Sequence, residues 1–372
     1  TKLGDDPRVL AAGSTLGNKM RFYWERGVIF LHNGLSRKNL FDVSIANTGI
    51  AITRLPAFAE AEVIHLHWVN QGLLSVEEIG RIVASGKKVV WTMHDMWPFT
   101  GICHHAGTCN AYGEGCGGCP YLRFPQGGDL SHRIFGKKEK AYGHGEITFT
   151  ACSRWLEGLG RQSPLTRGHR VVSIPNPIDT SVFLPKDKTT VRQKMGLPHD
   201  KKIVLFAAMK ASDKRKGIDY LMEAARLVAR KRTDLLFLIA GDQGEEITRE
   251  FPLPTRSTGF IPSGSMPDLY NAADLFVTPS LQENLPNTIM EAMACGTPCL
   301  GFDIGGIPEM IDHRENGYVA RYKDAQDLAE GMLWTLFHAD AQTLARNARR
   351  KVTEQYAQHT VALQYKEIYG LK

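Results

Sequence analysis

Short apolar runs alternate with segments of helical period along most of this chain, and that alternation predicts a parallel α/β fold. In the first half, Phe41–Ala46, Glu62–Val69, Lys88–His94, Ile147–Cys152 and Arg170–Ile174 read as strands. In the second half the pattern recurs at Lys202–Ala208, Asp234–Ala240, Arg256–Phe260, Asp274–Thr278 and Thr297–Phe302. Between the strands the spacing turns helical: over 217–231, Ile218, Leu221, Met222, Ala225 and Val228 make one apolar face. Ser75-Val-Glu-Glu78 is a capping box that opens another helix. The stretch from about Ala339 to Leu371 is helical by pattern. Ile174-Pro-Asn-Pro-Ile-Asp179 can continue neither a strand nor a helix, which places a domain boundary near residue 180. The expected organisation is two α/β domains, 1–180 and 181–350, with a terminal helix over 351–372.

A length of 372 residues suits two domains of ordinary size, and 43% hydrophobic with 23% charged residues is a soluble, globular composition. No apolar run approaches the roughly 18 residues that span a bilayer. Thr1-Lys-Leu-Gly-Asp-Asp-Pro7 is polar and unlike a signal peptide, so a cytoplasmic location is expected. The net charge of +6 is compatible with polyanionic ligands or an anionic membrane surface and does not demand nucleic acid. Lys19–Leu31 mixes cations with large apolar groups, as a segment that lies on a membrane surface does, or a helix packed on a sheet.

Seven cysteines is an odd number, and the crowding of four between Cys103 and Cys119 argues against a general disulfide framework. Cys103, Cys109, Cys116 and Cys119 form Cys-x5-Cys-x6-Cys-x2-Cys inside a glycine-rich insertion, 101–122. Four thiolates in so short a loop suit a closed, tetrahedral, structural zinc site, with His104 and His105 available in place of one cysteine. Only the last pair has the usual zinc spacing, so disulfides or free thiols are the alternatives. Cys152, Cys295 and Cys299 read as ordinary buried residues.

Glu283 and Glu291 stand eight positions apart after the strand Asp274–Thr278, the first on a loop and the second on the helix that follows. Pro286 suits the first helical position, with Asn284 or Leu285 at the cap. In an open α/β sheet, ligands bind at the carboxyl ends of strands, and a helix N-terminus there favours phosphate. Met209-Lys-Ala-Ser-Asp-Lys-Arg-Lys-Gly217 brings cations to another strand end, and Gly305 and Gly306 let the backbone approach a ligand at a third. In Trp91-Thr-Met-His-Asp-Met-Trp97 a strand ends at His94 with Asp95 beside it, while His65 and His67 share one face of the preceding strand.

The run Glu283-Asn-Leu-Pro-Asn-Thr-Ile-Met-Glu-Ala-Met-Ala-Cys-Gly-Thr-Pro298 resembles the Glu-x7-Glu signature of the retaining, nucleotide-sugar-dependent glycosyltransferases of family 4, in their bacterial capsule, O-antigen and exopolysaccharide branch. The resemblance implies the GT-B fold, two Rossmann-like domains facing a cleft, with the acceptor on the first and the donor on the second. It implies that Glu291 holds the ribose hydroxyls and Glu283 contacts the transferred sugar. Asn284, Leu285, Asn287, Thr288, Gly305 and Gly306 then lie around the nucleotide sugar. Lys216 matches the family lysine that neutralises the leaving diphosphate; Lys210 stands where the family carries arginine, with Arg215 as its rival. His94 takes the place of a histidine that faces the sugar.

Lysines and helix dipoles can take the charge that a metal would, and the sequence contains no Asp-x-Asp, so metal-independent catalysis with no cofactor is expected. The implied donor is a UDP- or GDP-sugar and the implied acceptor a saccharide or lipid-linked glycan at the cytoplasmic face of the inner membrane. The family's opening strand and glycine-rich turn have no counterpart here; Gly13-Ser-Thr-Leu-Gly17 is the nearest glycine cluster, so the resemblance covers the family minus its first β–α unit. In the family the last helix crosses back onto the first domain, which would place Tyr365, Ile368 and Tyr369 there. Two other readings share these features: a nucleotide-sugar-binding subunit that needs a missing piece, and a nucleotide-sugar 2-epimerase.

Overall fold

A computed structural model describes residues 9–371; the Thr1–Pro7 segment read above lies outside the described residues. The chain packs as two compact units, one running up to Ile174 and taking in the chain's end from Lys366, the other Pro175–Tyr365. Each is a parallel sheet with helices.

The first unit holds β1 (Val63–Leu66), β2 (Lys88–Met93), β3 (Ile147–Ala151) and β4 (Arg170–Ser173), paired in that order and all parallel. β2 and β3 are buried along nearly their whole length, as inner strands covered on both faces must be. Their core is aromatic: Trp91 stacks on Phe149 at 5.9 Å and meets Tyr142 edge-on at 5.7 Å between ring centres. Ser75 caps the helix Val76–Val83 by accepting the Glu78 N–H at 3.1 Å. The reciprocal half of that box is absent, because the Glu78 carboxylate accepts from Thr53 N–H and hydroxyl instead.

Phe41–Ala46 is not a strand. Its polar groups are taken by a helix, Thr15–His32. The buried Glu25 carboxylate accepts the N–H groups of Ile45 and Ala46 at 2.7 and 2.9 Å, and Arg26 donates to the Val43 carbonyl at 2.8 Å. Backbone groups so occupied cannot join a ladder, and only a single antiparallel bridge, Val43 to Cys103, forms.

The second unit holds β5 (Lys202–Lys210), β6 (Leu235–Asp242), β7 (Thr255–Gly259), β8 (Leu275–Thr278), β9 (Cys299–Phe302) and β10 (Gly317–Ala320). Their order is β10-β9-β8-β5-β6-β7, all parallel. β10 has no counterpart among the predicted strands. The helix Ile218–Ala229 buries Ile218, Leu221, Ala225 and Val228, with Met222 half-buried at its margin. The helical tail breaks into Ala341–Gln355 and Gln358–Tyr369. Ile178 splits them by donating to the Tyr356 carbonyl at 2.8 Å and accepting the Gln358 N–H at 3.1 Å.

The chain fills one side of β5 with β6 and β7, then returns to β8 on the other side. That reversal opens a crevice at the carboxyl ends of β5 and β8. Three loops meet there, main chain against main chain. Gly217 has φ +75°, and a Cβ on it would lie 1.8 Å from the Pro279 carbonyl oxygen. Gly305 has φ +59°, and its Cβ would lie 2.1 Å from the Glu283 carbonyl oxygen. Gly306 N–H donates to the Asn284 carbonyl at 2.6 Å, and Leu281 N–H to the Arg215 carbonyl at 2.7 Å.

Gly217→Ala is therefore expected to cost about 2–5 kcal/mol, a left-handed penalty of about 1–2 kcal/mol plus overpacking of about 1–3. Gly168, at φ +83° with open space around it, provides the control. Gly168→Ala should show the first penalty alone in urea or thermal melts of the full chain. Equal losses in the two variants would mean that the Pro279 contact relaxes freely.

Candidate functional site

In the second unit, β5 delivers the segment Asp213–Gly217 to the crevice. Asp213 caps its 3-10 turn, accepting the Arg215 N–H at 3.0 Å, and its carboxylate also holds the Arg215 guanidinium at 2.9 Å. The Arg215 side-chain bonds, first of several causes, hold Asp213 below the usual carboxylate range. Lys216 reaches across to β8's loop and pairs with the Glu283 carboxylate. Lys216 is 37% exposed and Glu283 13%, so the pair sits at the crevice wall, half wet. Lys210 is the exposed last residue of β5. Of the two rivals for the arginine position, Arg215 is thus tied to Asp213, whereas Lys210 stands at the strand end.

The helix after β8 is Asn287–Ala294, one residue later than expected. Pro286 is its cap, with an extended ψ of 114°, and provides no side-chain hydrogen bond to the first turn. Neither Asn284 nor Leu285 caps it: both are buried, and the Asn284 carbonyl serves Gly306. The first-turn amides at Asn287 and Thr288 therefore lack a side-chain cap and face the crevice end of the helix. The exposed Asn287 side chain accepts from Asn176 at 3.2 Å. Glu291 lies one turn further on, where the buried Tyr270 hydroxyl donates to its carboxylate at 2.7 Å. Burial pushes the Glu291 carboxyl up, and the Tyr270 bond opposes that only in part.

In the first unit, the end of β2 carries His94. Its Nε2 lies 3.0 Å from His67 Nδ1, and its Nδ1 lies 3.5 Å from the Cys152 sulfur. His65 stacks beside His67 at 4.2 Å between ring centres and is clamped by the Tyr369 hydroxyl at 2.6 Å and Thr92 at 2.7 Å. Burial lowers all three imidazole pKa values; in His65, burial and then the charges of His67 and His94 push it down to about 4. The three rings form a neutral row near pH 7. His67, which reads from sequence as an ordinary strand histidine, is the direct partner of His94.

Asp95 fixes the segment that follows. It accepts from His104 Nδ1 at 2.7 Å, Trp68 Nε1 at 3.1 Å and the Trp97 N–H at 2.9 Å. Burial pushes its pKa up, but these bonds outweigh it, so Asp95 is a carboxylate and His104 carries its proton on Nδ1. The other His104 nitrogen, Nε2, shares a hydrogen bond with Ser44 Oγ at 2.9 Å. This Ser–His–Asp line is a brace: Ser44 is fully buried and its oxygen also accepts from Arg26 at 3.2 Å. His104 is thereby committed to Asp95 and Ser44 and does not stand in for a cysteine. Cys103, Cys109, Cys116 and Cys119 do come together around one small cavity, all as free thiols. Among the described residues, no three His, Cys, Asp or Glu side chains are set at metal-ligand positions.

Tyr270 and Lys138 escape a reading of the sequence. Tyr270 lies 21 residues before Glu291, and nothing in the intervening sequence signals that pairing. Lys138 sits in a helix of mixed polarity, Leu130–Tyr142, yet is fully buried.

Residues 200–337 match the family model described as Glycosyl transferases group 1. Over 205 residues the chain is 27% identical to the N-acetyl-alpha-D-glucosaminyl L-malate synthase of Bacillus anthracis, covering 54% of this chain and 53% of that protein. Over 218 residues it is 27% identical to the amylovoran biosynthesis glycosyltransferase AmsK of Erwinia amylovora, with the same coverage. These alignments span about half the length of each relative. Among solved structures, the sucrose-phosphate synthase of Thermosynechococcus elongatus superposes with a TM-score of 0.64 at 22% identity, over 84% of this chain and 75% of that one. Anabaena Alr3699/HepE, in complex with UDP and glucose, superposes with a TM-score of 0.62 at 18% identity, over 86% and 81%. The fold is that of the GT-B glycosyltransferases, and it is within the second unit that the chain is similar to group 1 glycosyl transferases.

The neutral histidine row has a pH signature. The unfolded chain binds a proton at His65 near the ordinary 6.5, whereas the folded chain does so only at about 4. The contribution is fully present above 6.5 and is lost as pH falls toward about 4. Thermal melts across that window should show a shallower acid decline for His65→Gln than for the unchanged chain. Parallel declines would mean that His65 is not held neutral.

Proposed function

We propose that this chain is a retaining glycosyltransferase that moves a sugar from a UDP- or GDP-linked donor to a lipid-linked bacterial polysaccharide acceptor. The observation that carries the reading is the meeting of Lys216, Glu283 and uncapped helix amides at the reversal point of a parallel sheet. It lies within the matched residues 200–337. A diphosphate needs cations and N–H donors; a hexose needs an acceptor for its hydroxyls. Both are within one loop pair.

On this reading the Lys216–Glu283 pair exchanges partners when the donor arrives. The diphosphate takes Lys216 and the first-turn amides of Asn287 and Thr288, with Lys210 beside it. The sugar hydroxyls take Glu283, and the Gly305–Gly306 backbone closes on the sugar and phosphate. Glu291, steadied by Tyr270, accepts from the ribose. As the anomeric bond to phosphate breaks, charge grows on the leaving diphosphate, and Lys216 lowers that barrier without a metal. The departing phosphate oxygen takes the acceptor's proton on the same face, so configuration is retained. His94, beside His67 at the end of β2, is the first unit's candidate residue for the transfer step.

The acceptor side is supported by the helix Thr15–His32. Leu16, Met20, Tyr23, Trp24 and Leu31 are exposed along one side of it, with Lys19 and the nearby Arg37 and Lys38 as cations. That is the composition of a surface that rests on anionic lipid. No helix among the described residues is long and apolar enough to cross a membrane.

Calorimetric titration with UDP, GDP and ADP, run beside Glu291→Ala, tests the donor site. One nucleotide should bind, and Glu291→Ala should lose most of that affinity. Lys216→Ala should lower transfer about 10²–10³-fold, and His94→Ala should keep nucleotide binding while impairing transfer. Binding without any transfer would make the chain a nucleotide-sugar-binding subunit, and binding of none of the three would sink the donor site.

A further inference from the structure

The three clustered histidines of the first unit differ in what their ring nitrogens still have to offer. His65 has none to spare: Nδ1 meets the Tyr369 hydroxyl at 2.6 Å and Nε2 the Thr92 hydroxyl at 2.7 Å. His94 is engaged at both nitrogens as well, Nε2 with His67 Nδ1 at 3.0 Å and Nδ1 with the Cys152 sulfur at 3.5 Å. His67 uses Nδ1 alone. Its Nε2 has no hydrogen-bond partner among the described residues, and the residue is exposed, just past the end of β1. The His67 ring is nonetheless fixed in place. His65 packs on it at 4.2 Å between ring centres and His94 at 5.3 Å. The buried Trp91 indole donates to the His67 carbonyl at 3.0 Å, which holds the main chain. A side chain so held, with one polar atom uncommitted, loses little freedom when a ligand arrives.

The protons can be followed along the row. Burial pushes the Cys152 thiol up to about 12, so near pH 7 its sulfur keeps its hydrogen. An imidazole nitrogen accepts well and a thiol sulfur only weakly, so the S–H points to His94 Nδ1. A neutral His94 that accepts at Nδ1 carries its own proton on Nε2, and that N–H donates to His67 Nδ1. His67, accepting at Nδ1, is then neutral with its proton on Nε2. Two bonds thus run in one direction and end in a free N–H. Such a group donates; it has no lone pair at Nε2 with which to take a proton from an acceptor.

We propose that His67, rather than His94, is the first unit's hydrogen-bond donor to the sugar, its Nε2–H bonding a saccharide hydroxyl oxygen, and that His94 is the residue that positions it. The ligand named here rests on the proposed sugar transfer; the choice of donor rests on the contacts of the three rings. A saccharide suits the group, because a hydroxyl oxygen accepts from a neutral N–H and brings no charge against the row. The bond orients the sugar and no proton changes hands, so the departing phosphate oxygen remains the base of the proposed reaction. Loss of His94 acts through His67: Nδ1 loses its donor and the ring is released on one side. Nε2 then presents a lone pair as readily as a proton.

Nitrogen-15 NMR of the full chain, labelled at histidine, should show His67 and His94 both in the Nε2–H tautomer near pH 7. A proton on Nδ1 of His67 would overturn the proposal whether or not the chain turns over. With UDP-glucose or GDP-mannose as donor, His67→Ala should lower kcat/KM about 10-fold, as loss of one hydrogen bond does, with nucleotide affinity unchanged. His67→Gln, whose amide can place an N–H near Nε2, should recover part of that loss. His94→Ala should lose a similar factor, and the double variant no more than His67→Ala alone, because the two residues act as one unit. Losses that multiply in the double variant would make His94 an independent contact, and full turnover by His67→Ala would leave His67 an ordinary surface histidine; either result ends the assignment. A chain with the expected tautomers that turns over neither donor would instead overturn the proposed reaction and, with it, the ligand named here.

Discussion

The Pro279 carbonyl oxygen stands where a side chain on residue 217 would begin, and the candidate site follows from that contact. It forces glycine at 217 and fixes the turn before it. Lys216 is thereby carried to the loop that holds Glu283. A second contact of the same kind, Gly305 against the Glu283 carbonyl, brings the loop after β9 onto the other side of the same residue. Three loops from β5, β8 and β9 are thus positioned by backbone contacts, which have few conformations to choose among. A site set by main-chain contacts loses little entropy when a ligand arrives, because the ordering cost is met during folding.

The first unit reaches a comparable rigidity by different means. Its loops are held by buried charges with many partners. Glu25 and Arg26 grip the segment that would otherwise extend the sheet, and Asp95 gathers His104, Trp68 and the Trp97 amide. Removing one partner from such a cluster leaves the others unsatisfied in a buried setting, a cost of several kcal/mol in comparable cases, on the order of 3–5. These groups therefore define a conformation more than they add stability. The neutral histidine row fits the same pattern, since a protonated ring there would face both burial and its neighbours.

Much of the fold is legible in the sequence because inner parallel strands are apolar on both faces and leave unmistakable runs. Nine of the ten strands fall on predicted stretches, the polar edge strand β7 among them, and the exception, β10, is also an edge strand. The run at Phe41–Ala46 misleads for a definite reason: periodicity reports burial, and this segment is buried against a helix whose Glu25 and Arg26 consume its backbone groups. Pro286 misleads more mildly, since proline's fixed φ suits a cap and a first turn equally well. Side-chain partnerships across long sequence separations leave no local mark. Tyr270 to Glu291, His104 to Asp95 and Ser44, and Lys138 to the Trp97 and Thr100 carbonyls all become visible only once the chain is folded.

The Lys216–Glu283 pair joins the rigid frame to the proposed chemistry. A lysine held at a crevice wall with no partner would be free to wander, and a carboxylate beside it would lose solvation without return. Paired, each keeps the other in place, and neither is so deeply buried that separation is prohibitive. A donor that presents a diphosphate and a hydroxylated sugar replaces each half of the pair with a group of matching polarity. Two charge-assisted contacts are then given up and at least two are formed, so the exchange is near balance before reaction. The imbalance arises only as negative charge builds on the leaving phosphate, which strengthens the Lys216 contact and leaves that of Glu283 nearly unchanged. An interaction that strengthens along the reaction coordinate accelerates it, whereas one that is uniform throughout does not. In the proposed reaction, the division of labour between these two residues thus follows from which part of the donor changes charge.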